Sequence, residues 1–546
     1  MKTIFTFLFS NLLVIAVLAQ GTPGEIGALT TIDSYAAFQG YDEAAAHLGQ
    51  GEYQIYYDNI DGILDKPIII CDGFDPEDSR DISTIYGIGN FGDPTQNIFD
   101  NLRDEGADVV VLNFPNYTRA DDGVDIQGGA DFIERNGLVL VNLIESIKND
   151  MTGTEELIVV GPSMGGLVTR YALTYMEQNS LDHQTGIWLS FDSPHKGANV
   201  PISFQYTVNY MAEEGDDDDL RAMRDVELNS AAAKQMLLDH YIPHLADGEA
   251  YEQDYAVQLP TPHSFRATFL SNLSDLGDFP QQTRNLAIVN GSLSGTMVES
   301  PGTTVVDTSL DLGSHFGLDI QLYFTPAAGV ENYVVDHLQP TYYGVDVGNE
   351  HYGYATSPVA TSGLDSAPGG TVLFDSYFGS STDDILIQFQ EALQVDAFSF
   401  IPTMSSMAID ETDWYHVVNG TEATPFDAYV GGNTNQPHLT LTDEYAAFLM
   451  DEFSALYLGT SGYLQVDAFQ LLSNPVQENI VVRINSELID SKLSFELLTV
   501  SGQLIASYDF DNNRDVMVLP SPSASGLYLL RISNGTSFIT KKVIVE

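Results

Sequence analysis

The stretch "LIVVGPSMGGLVTRYAL" runs from Leu157 to Leu173. Leu157 to Val160 read as a short buried strand, and Leu167, Val168, Tyr171 and Ala172 recur at helical spacing. Between them stands Ser163, flanked by Gly161, Gly165 and Gly166. A turn this sharp from strand to helix forces its serine into a strained backbone conformation, and side chains at Gly161 and Gly165 would clash, so the glycines make room. The same turn sets the N–H of Met164 at the positive end of the helix, where a developing oxyanion is held. In a chain with 46 glycines the Gly-x-Ser-x-Gly pattern alone is weak, and a tightly packed turn is the bland reading. The flanking strand and helix favour a serine nucleophile.

Working outward, runs rich in Val and Ile alternate with helical patterns from about Tyr53, as in a mostly parallel sheet flanked by helices. The strand candidates are Pro67 to Cys71, Asp108 to Leu112, Leu157 to Val160, Ile187 to Phe191 and "NLAIVNGS", Asn285 to Ser292. The helix candidates include "NIFDNLRDEG" and "ADFIERNGLVLVNLIESIKND". The fold class is α/β. Two inserts interrupt it: a polar, helix-leaning stretch over about 199–282 and a Gly-, Thr- and aromatic-rich stretch over about 295–382. In the first, "ISFQYTVNYM" reads equally as the lining of an apolar cap or as the insert's own core. "FSFIPTMSS" reads as the last core strand.

A chain of 546 residues exceeds what one hydrophobic core serves, so at least two folding units are expected. The first 19 residues have a positive start at Lys2, an apolar stretch from Ile4 to Leu18 and small residues at Val17 and Ala19. They read as a secretory signal cut after Ala19, with no transmembrane anchor elsewhere. With 77 acidic and 20 basic side chains the formal charge is -57, which excludes nucleic acid and anionic membrane as natural partners. The single cysteine, Cys71, makes no internal disulfide and reads as a buried strand residue. The run "EEGDDDDLR", 213–221, lacks the spaced ligands and turn glycine of an EF-hand loop and reads as a solvated acidic loop.

After about Gly462 the pattern changes to short alternating strands, clearest in "LSFELLTVSGQLIASYDF". This predicts a separate all-β module over 463–546, a small sandwich, leaving 20–462 as the α/β domain. "LLSNPVQENIVV", "VSGQL" and "ASGLYLLRISNGTSFITKKVIVE" resemble the C-terminal sorting domain of type IX secretion cargo. The resemblance implies a second export step across an outer membrane and the type IX machinery as a partner, with a final place in the medium or on the cell surface.

With its strand, glycine frame and helix around Ser163, the chain over most of Gln54 to Phe453 resembles the α/β-hydrolase superfamily, in its lipase and esterase branch. The resemblance implies a second oxyanion donor in the loop after an earlier strand. "IIICDGFDP" occupies that place, so Phe74 N–H is the candidate, with Asp72 standing where the family often has His. It also implies the order Ser, acid, His. His438, in a loop ahead of a helical pattern, is the candidate base, and His416 reads as a strand or surface residue. His195 lies in "FDSPHKGA", which resembles a segment that shapes a loop in many lipases, and it receives no chemistry. The acid stays open between Asp192, at the end of "GIWLSF", and Asp427, in "TPFDAYVGG", with Asp396 and Asp410 behind them. The implied activity is hydrolysis of an ester, with an apolar acyl group, through an acyl-enzyme, needing no metal or cofactor. A peptidase or polyester depolymerase on the same residues and a non-catalytic surface binder are the rival readings.

Overall fold

Unbroken runs of β-branched residues form strands buried on both faces, and that is how the central strands of this chain behave. The computed structural model describes residues 21–92, 95–214, 218–374, 384–458 and, with short intervals left out, 469–545. The expected signal segment, the 462/463 boundary and part of the acidic run lie outside the described residues. The chain divides into two units between Leu449 and Met450.

The first unit is built on an eight-stranded sheet: β1 (Thr30–Asp33), β2 (Gln50–Tyr56), β3 (Pro67–Cys71), β4 (Asp108–Asn113), β5 (Leu157–Pro162), β6 (Thr185–Phe191), β7 (Arg284–Val289) and a last strand, β14 (Ala428–Gly431). Their order is β1-β2-β4-β3-β5-β6-β7-β14. β2 runs antiparallel to β1 and β4, and β3 to β7 with β14 run parallel. All residues of β3, β4 and β5 are buried, so these strands show no alternation. Helices α1 (Ile98–Asp104), α2 (Ile133–Asp150) and α3 (Met164–Gln178) fill the connections. Because β5, β6 and β7 are parallel, the residues that follow them, Ser163, Asp192 and Asn290, emerge at one edge of the sheet.

The first insert is helical, with α4 (Ile202–Glu214) and α5 (Ser264–Asp275) its longest elements. Every residue from Ile202 to Ala212 is buried, and Phe204, Tyr206, Val208 and Tyr210 join the main hydrophobic core, so "ISFQYTVNYM" is core. The second insert holds an antiparallel sheet of β8 (Thr304–Gly313), β9 (Phe316–Tyr323), β10 (Glu331–Tyr342) and β11 (His351–Thr356), the last of which pairs with β10. A two-stranded ribbon follows, β12 (Gly369–Leu373) against β13 (Ala397–Pro402). This corrects the reading of "FSFIPTMSS": its first five residues lie in β13, outside the central sheet, and Thr403–Ser406 form a helical turn. Phe398 and Ile401 are fully buried, and β13's partner is the insert strand β12. The central sheet closes instead with β14, four half-buried residues at an edge, too short a run to announce itself.

The second unit has strands β15 (Phe469–Leu471), β16 (Asn479–Ile484), β17 (Leu493–Thr499), β18 (Leu504–Phe510), β19 (Val516–Pro520), β20 (Gly526–Ser533) and β21 (Phe538–Val545). They make two antiparallel sheets, β15-β16-β19 and β18-β17-β20-β21. Phe469, Ile480 and Val482 from one sheet and Phe495, Leu497, Leu530, Ile532 and Val543 from the other share one hydrophobic cluster. Among the described residues, no helix is long and apolar enough to cross a membrane.

Candidate active site

Ser163 closes β5 and opens α3 with φ 51° and ψ -130°, a conformation that L-residues rarely adopt and that costs about 1–3 kcal/mol. The space around it is fully used. A Cβ on Gly161 would stand 2.4 Å from Thr169 Oγ1, and one on Gly165 would stand 2.8 Å from the carbonyl oxygens of Cys71 and Asp72. The serine is fixed to the neighbouring strand as well, since its N–H donates to Phe191 O at 2.9 Å. One residue past β6, the N–H of Asp192 donates to Ile288 O at 2.8 Å. Asp192 too has a positive φ, 46°.

His438 stands between these two. Its Nε2 is 2.8 Å from Ser163 Oγ and its Nδ1 is 2.8 Å from Asp192 Oδ2. Asp192 is completely buried, and its other oxygen accepts the Asn290 N–H at 3.1 Å. A buried carboxylate satisfied on both oxygens orients the imidazole with Nδ1 protonated and leaves Nε2 as the acceptor toward the serine hydroxyl. His438 sits in a tight turn, closed by Thr440 N–H donating to Pro437 O at 3.1 Å, with Leu439 left-handed at φ 61°. The turn is registered on β12: His438 N–H donates to Thr371 O at 2.8 Å and Thr371 N–H to Gln436 O at 3.0 Å. Phe400 of β13 packs edge-on against the imidazole, its centroid 5.1 Å away. Helix α6 (Asp443–Leu458) begins five residues after the histidine.

The loop after β3 lies against the serine. A Cβ on Gly73 would be 3.3 Å from Ser163 Cβ and 3.7 Å from Met164 N. Met164 is the first residue of α3, so its N–H has no intrahelical acceptor. Asp72 is buried and forms a forked ion pair with Arg80, Oδ1 to Nε at 3.1 Å and Oδ2 to Nη2 at 3.3 Å. Burial pushes the Asp72 carboxyl up to about 6, against the opposing pull of Arg80 and the Gly73 N–H. Arg80 Nη2 also donates to Phe74 O at 2.8 Å, bracing the loop that carries the candidate donor Phe74.

The other candidates are held elsewhere. Asp427 precedes β14 and accepts the Asn285 N–H at 2.8 Å, at the start of the parallel strands and hence at the opposite sheet edge from Ser163. Asp396 is exposed, and Asp410 pairs with Lys196 at the surface. His416 pairs with Glu422 at 2.8 Å. His195 is buried, bonds Ser190 Oγ through Nε2 at 2.7 Å, and is held neutral by burial, which pushes its pKa well below the usual range. Cys71 is a fully buried residue of β3. Sequence reasoning missed Arg80, Asn290 and Thr371. Arg80 had a signal, because a buried Asp72 requires a cation and Arg80 is the next one along the chain. Thr371 acts through backbone groups and Asn290 through both its backbone and its side-chain amide, and neither had a signal.

Residues 473–546 match the family described as the secretion system C-terminal sorting domain, and that segment belongs to it. The sorting domain marks the chain for secretion, with cell-surface or outer-membrane association. No curated protein matches the chain. Among solved structures, it is similar to the Bacillus licheniformis lipase BlEst2 in its propeptide form, at 9% identity and a TM-score of 0.30, covering 96% of this chain and 97% of that one. It is also similar to Est1E from Butyrivibrio proteoclasticus, at 11% identity and a TM-score of 0.24, over 48% of this chain and 77% of that one. Likenesses this loose carry no weight for the chemistry.

Proposed function

We propose that this chain is an exported serine ester hydrolase of the lipase and esterase type. The single observation that carries the reading is the continuous hydrogen-bonded series from Ser163 Oγ through His438 to the buried Asp192. In the proposed reaction Ser163 Oγ attacks the ester carbonyl as its proton passes to His438 Nε2. The N–H groups of Met164 and Phe74 hold the oxyanion, and the imidazolium gives its proton to the departing alcohol. Water, deprotonated by the same histidine, then cleaves the acyl-enzyme. Asp192 keeps the imidazole in the productive tautomer and stabilises its charged form. Substrate is an ester with an apolar acyl group, and the type IX machinery receives the chain through residues 473–546. In domain terms, a leader over 1–19 and an α/β domain over 20–462 precede the sorting domain.

The test is a panel of p-nitrophenyl esters of rising acyl length, run beside peptide and polyester substrates, on wild type and on Ser163→Ala. Ester turnover by the wild type and a loss of several decades in Ser163→Ala are expected, with the melting temperature unchanged or raised. Wild-type turnover by the alanine variant would sink the reading.

A further inference from the structure

Asn290 is the first residue after β7 and is completely buried. It reaches the acid and both sides of the histidine turn at once. Its backbone N–H donates to Asp192 Oδ1 at 3.1 Å. Its backbone carbonyl accepts the N–H of Gln436, two residues before His438, at 2.8 Å. Its side-chain Nδ2 donates to the carbonyl of Thr440, two residues after His438, at 2.8 Å. The amide orientation follows from chemistry, because the Thr440 carbonyl only accepts and the NH₂ end of the amide is the one that donates. With that end engaged, Asn290 Oδ1 is buried and without a partner among the described residues.

That unpaired oxygen is informative. A residue serving only to fill this space would be apolar, since a buried carbonyl left unbonded is destabilising. An asparagine here is worth that penalty if its N–H donor is required. The bond it makes holds the Thr440 carbonyl on the far side of a turn that already holds a left-handed leucine, Leu439, that β12 grips on the near side at Gln436 and His438, and that is next tethered at Leu441, bridged to Phe91. Without it, the Thr440 carbonyl between these two anchors loses its donor and the imidazole between Ser163 and Asp192 can tilt.

We infer that Asn290 is a positioning residue that sets His438 relative to Asp192 and Ser163, acting through the Thr440 carbonyl. The inference rests on the serine-hydrolase reading above. Asn290 touches no reacting atom, so its effect belongs on the rate of the chemical step and not on substrate affinity.

The test uses the full chain with Asn290→Ala and Asn290→Leu, and Ser163→Ala run in parallel. The leucine has nearly the same shape, keeps both backbone bonds and carries no donor, so it removes the bond to the Thr440 carbonyl without opening a cavity. Steady-state kcat and KM on a p-nitrophenyl ester are measured with the rate of inactivation by a fluorophosphonate, which reports Ser163 reactivity, and circular dichroism checks folding. The expected result is a fall in kcat of about 10 to 100-fold in both variants, an equal fall in inactivation rate, and KM within about twofold of wild type. Wild-type kcat in either folded variant, or a loss lying wholly in KM, overturns the assignment. If Ser163→Ala is inactive while the Asn290 variants match wild type, only the positioning role fails. If Ser163→Ala retains turnover, the hydrolase reading fails and takes the positioning role with it.

Discussion

Gly370 offers a sharp probe of the proposed triad, because it lies where a single methyl group would strike Asp192. A Cβ built on its backbone stands 2.0 Å from Asp192 Oδ2, 3.0 Å from Asp192 Cγ and 3.3 Å from Asn290 Cβ. Oδ2 is the oxygen that bonds His438 Nδ1. A carbon and an oxygen cannot approach within about 3 Å without bonding, so Gly370→Ala requires a relative displacement of about 1 Å. Gly370 itself has little room to retreat, since it is buried within β12 and paired with Ile401. The carboxylate is the softer partner and must swing, stretching its 2.8 Å bond to the imidazole. A misplacement of about 1 Å in a reacting array costs about 10²-fold, and complete loss of the acid's role costs about 10⁴-fold. Gly370→Ala is therefore expected to lower kcat by about 10² to 10⁴, with KM nearly unchanged. Overpacking of a filled site adds a stability loss of about 1–3 kcal/mol, read from urea unfolding. The assay is steady-state hydrolysis of a p-nitrophenyl ester beside Asp192→Asn, whose loss sets the floor. Wild-type kcat at wild-type stability in Gly370→Ala would refute the reasoning.

Three further outcomes are expected. Asp192→Asn should lower kcat by about 10⁴, whereas Asp427→Asn, which only weakens the bond to Asn285 N–H at the far sheet edge, should leave kcat within about threefold and appear, if anywhere, in the melting temperature. Burial pushes the Asp72 carboxyl up to about 6 in the folded state, against about 4 for an ordinary aspartate. Its contribution to stability is thus complete below about pH 4 and is lost as pH rises to about 6, by about 3 kcal/mol at most, so unfolding free energies of wild type minus Asp72→Asn should fall across that window. A flat difference would contradict the buried-charge account. Removing residues 473–546 should leave ester turnover intact while retaining the protein inside the cell envelope of its host, which fractionation and activity assays would read out directly.

The residues that make the central sheet were legible because burial on both faces leaves an uninterrupted apolar run, as in Pro67 to Cys71 and Leu157 to Val160. Gly165 was legible for a local reason, since strand, turn and helix adjoin in sequence. The end of the sheet was not. "AYVG" is short and half-buried, while "FSFIPTMSS", with a stronger apolar pattern, spends it on a ribbon inside the insert. Periodicity reports that a segment is buried, and the choice of partner is decided by tertiary contacts. The second insert's four long strands were likewise read only as aromatic-rich sequence, because turns and glycines broke each alternating run. At the candidate site the side chains with chemistry stood out, but the open choice between Asp192 and Asp427 turned on which edge of the sheet each occupies. Only the parallel register of β6, β7 and β14 separates them.

The registration of the His438 turn on β12 has a consequence for anyone remodelling this scaffold. Thr371 belongs to the segment that looks, from its length and composition, like an ornament appended to the central sheet. Yet its backbone sets the register of the His438 turn: a slip of one residue along β12 is a step of about 3.3 Å, larger than the 2.8 Å that separates Nε2 from Ser163 Oγ. Loop grafting or trimming between the end of β11 and the start of β13 is thus a change to the spacing of His438 and Ser163, whatever its purpose. A minimal α/β domain cut from this chain would have to supply another backbone for that turn to pair with.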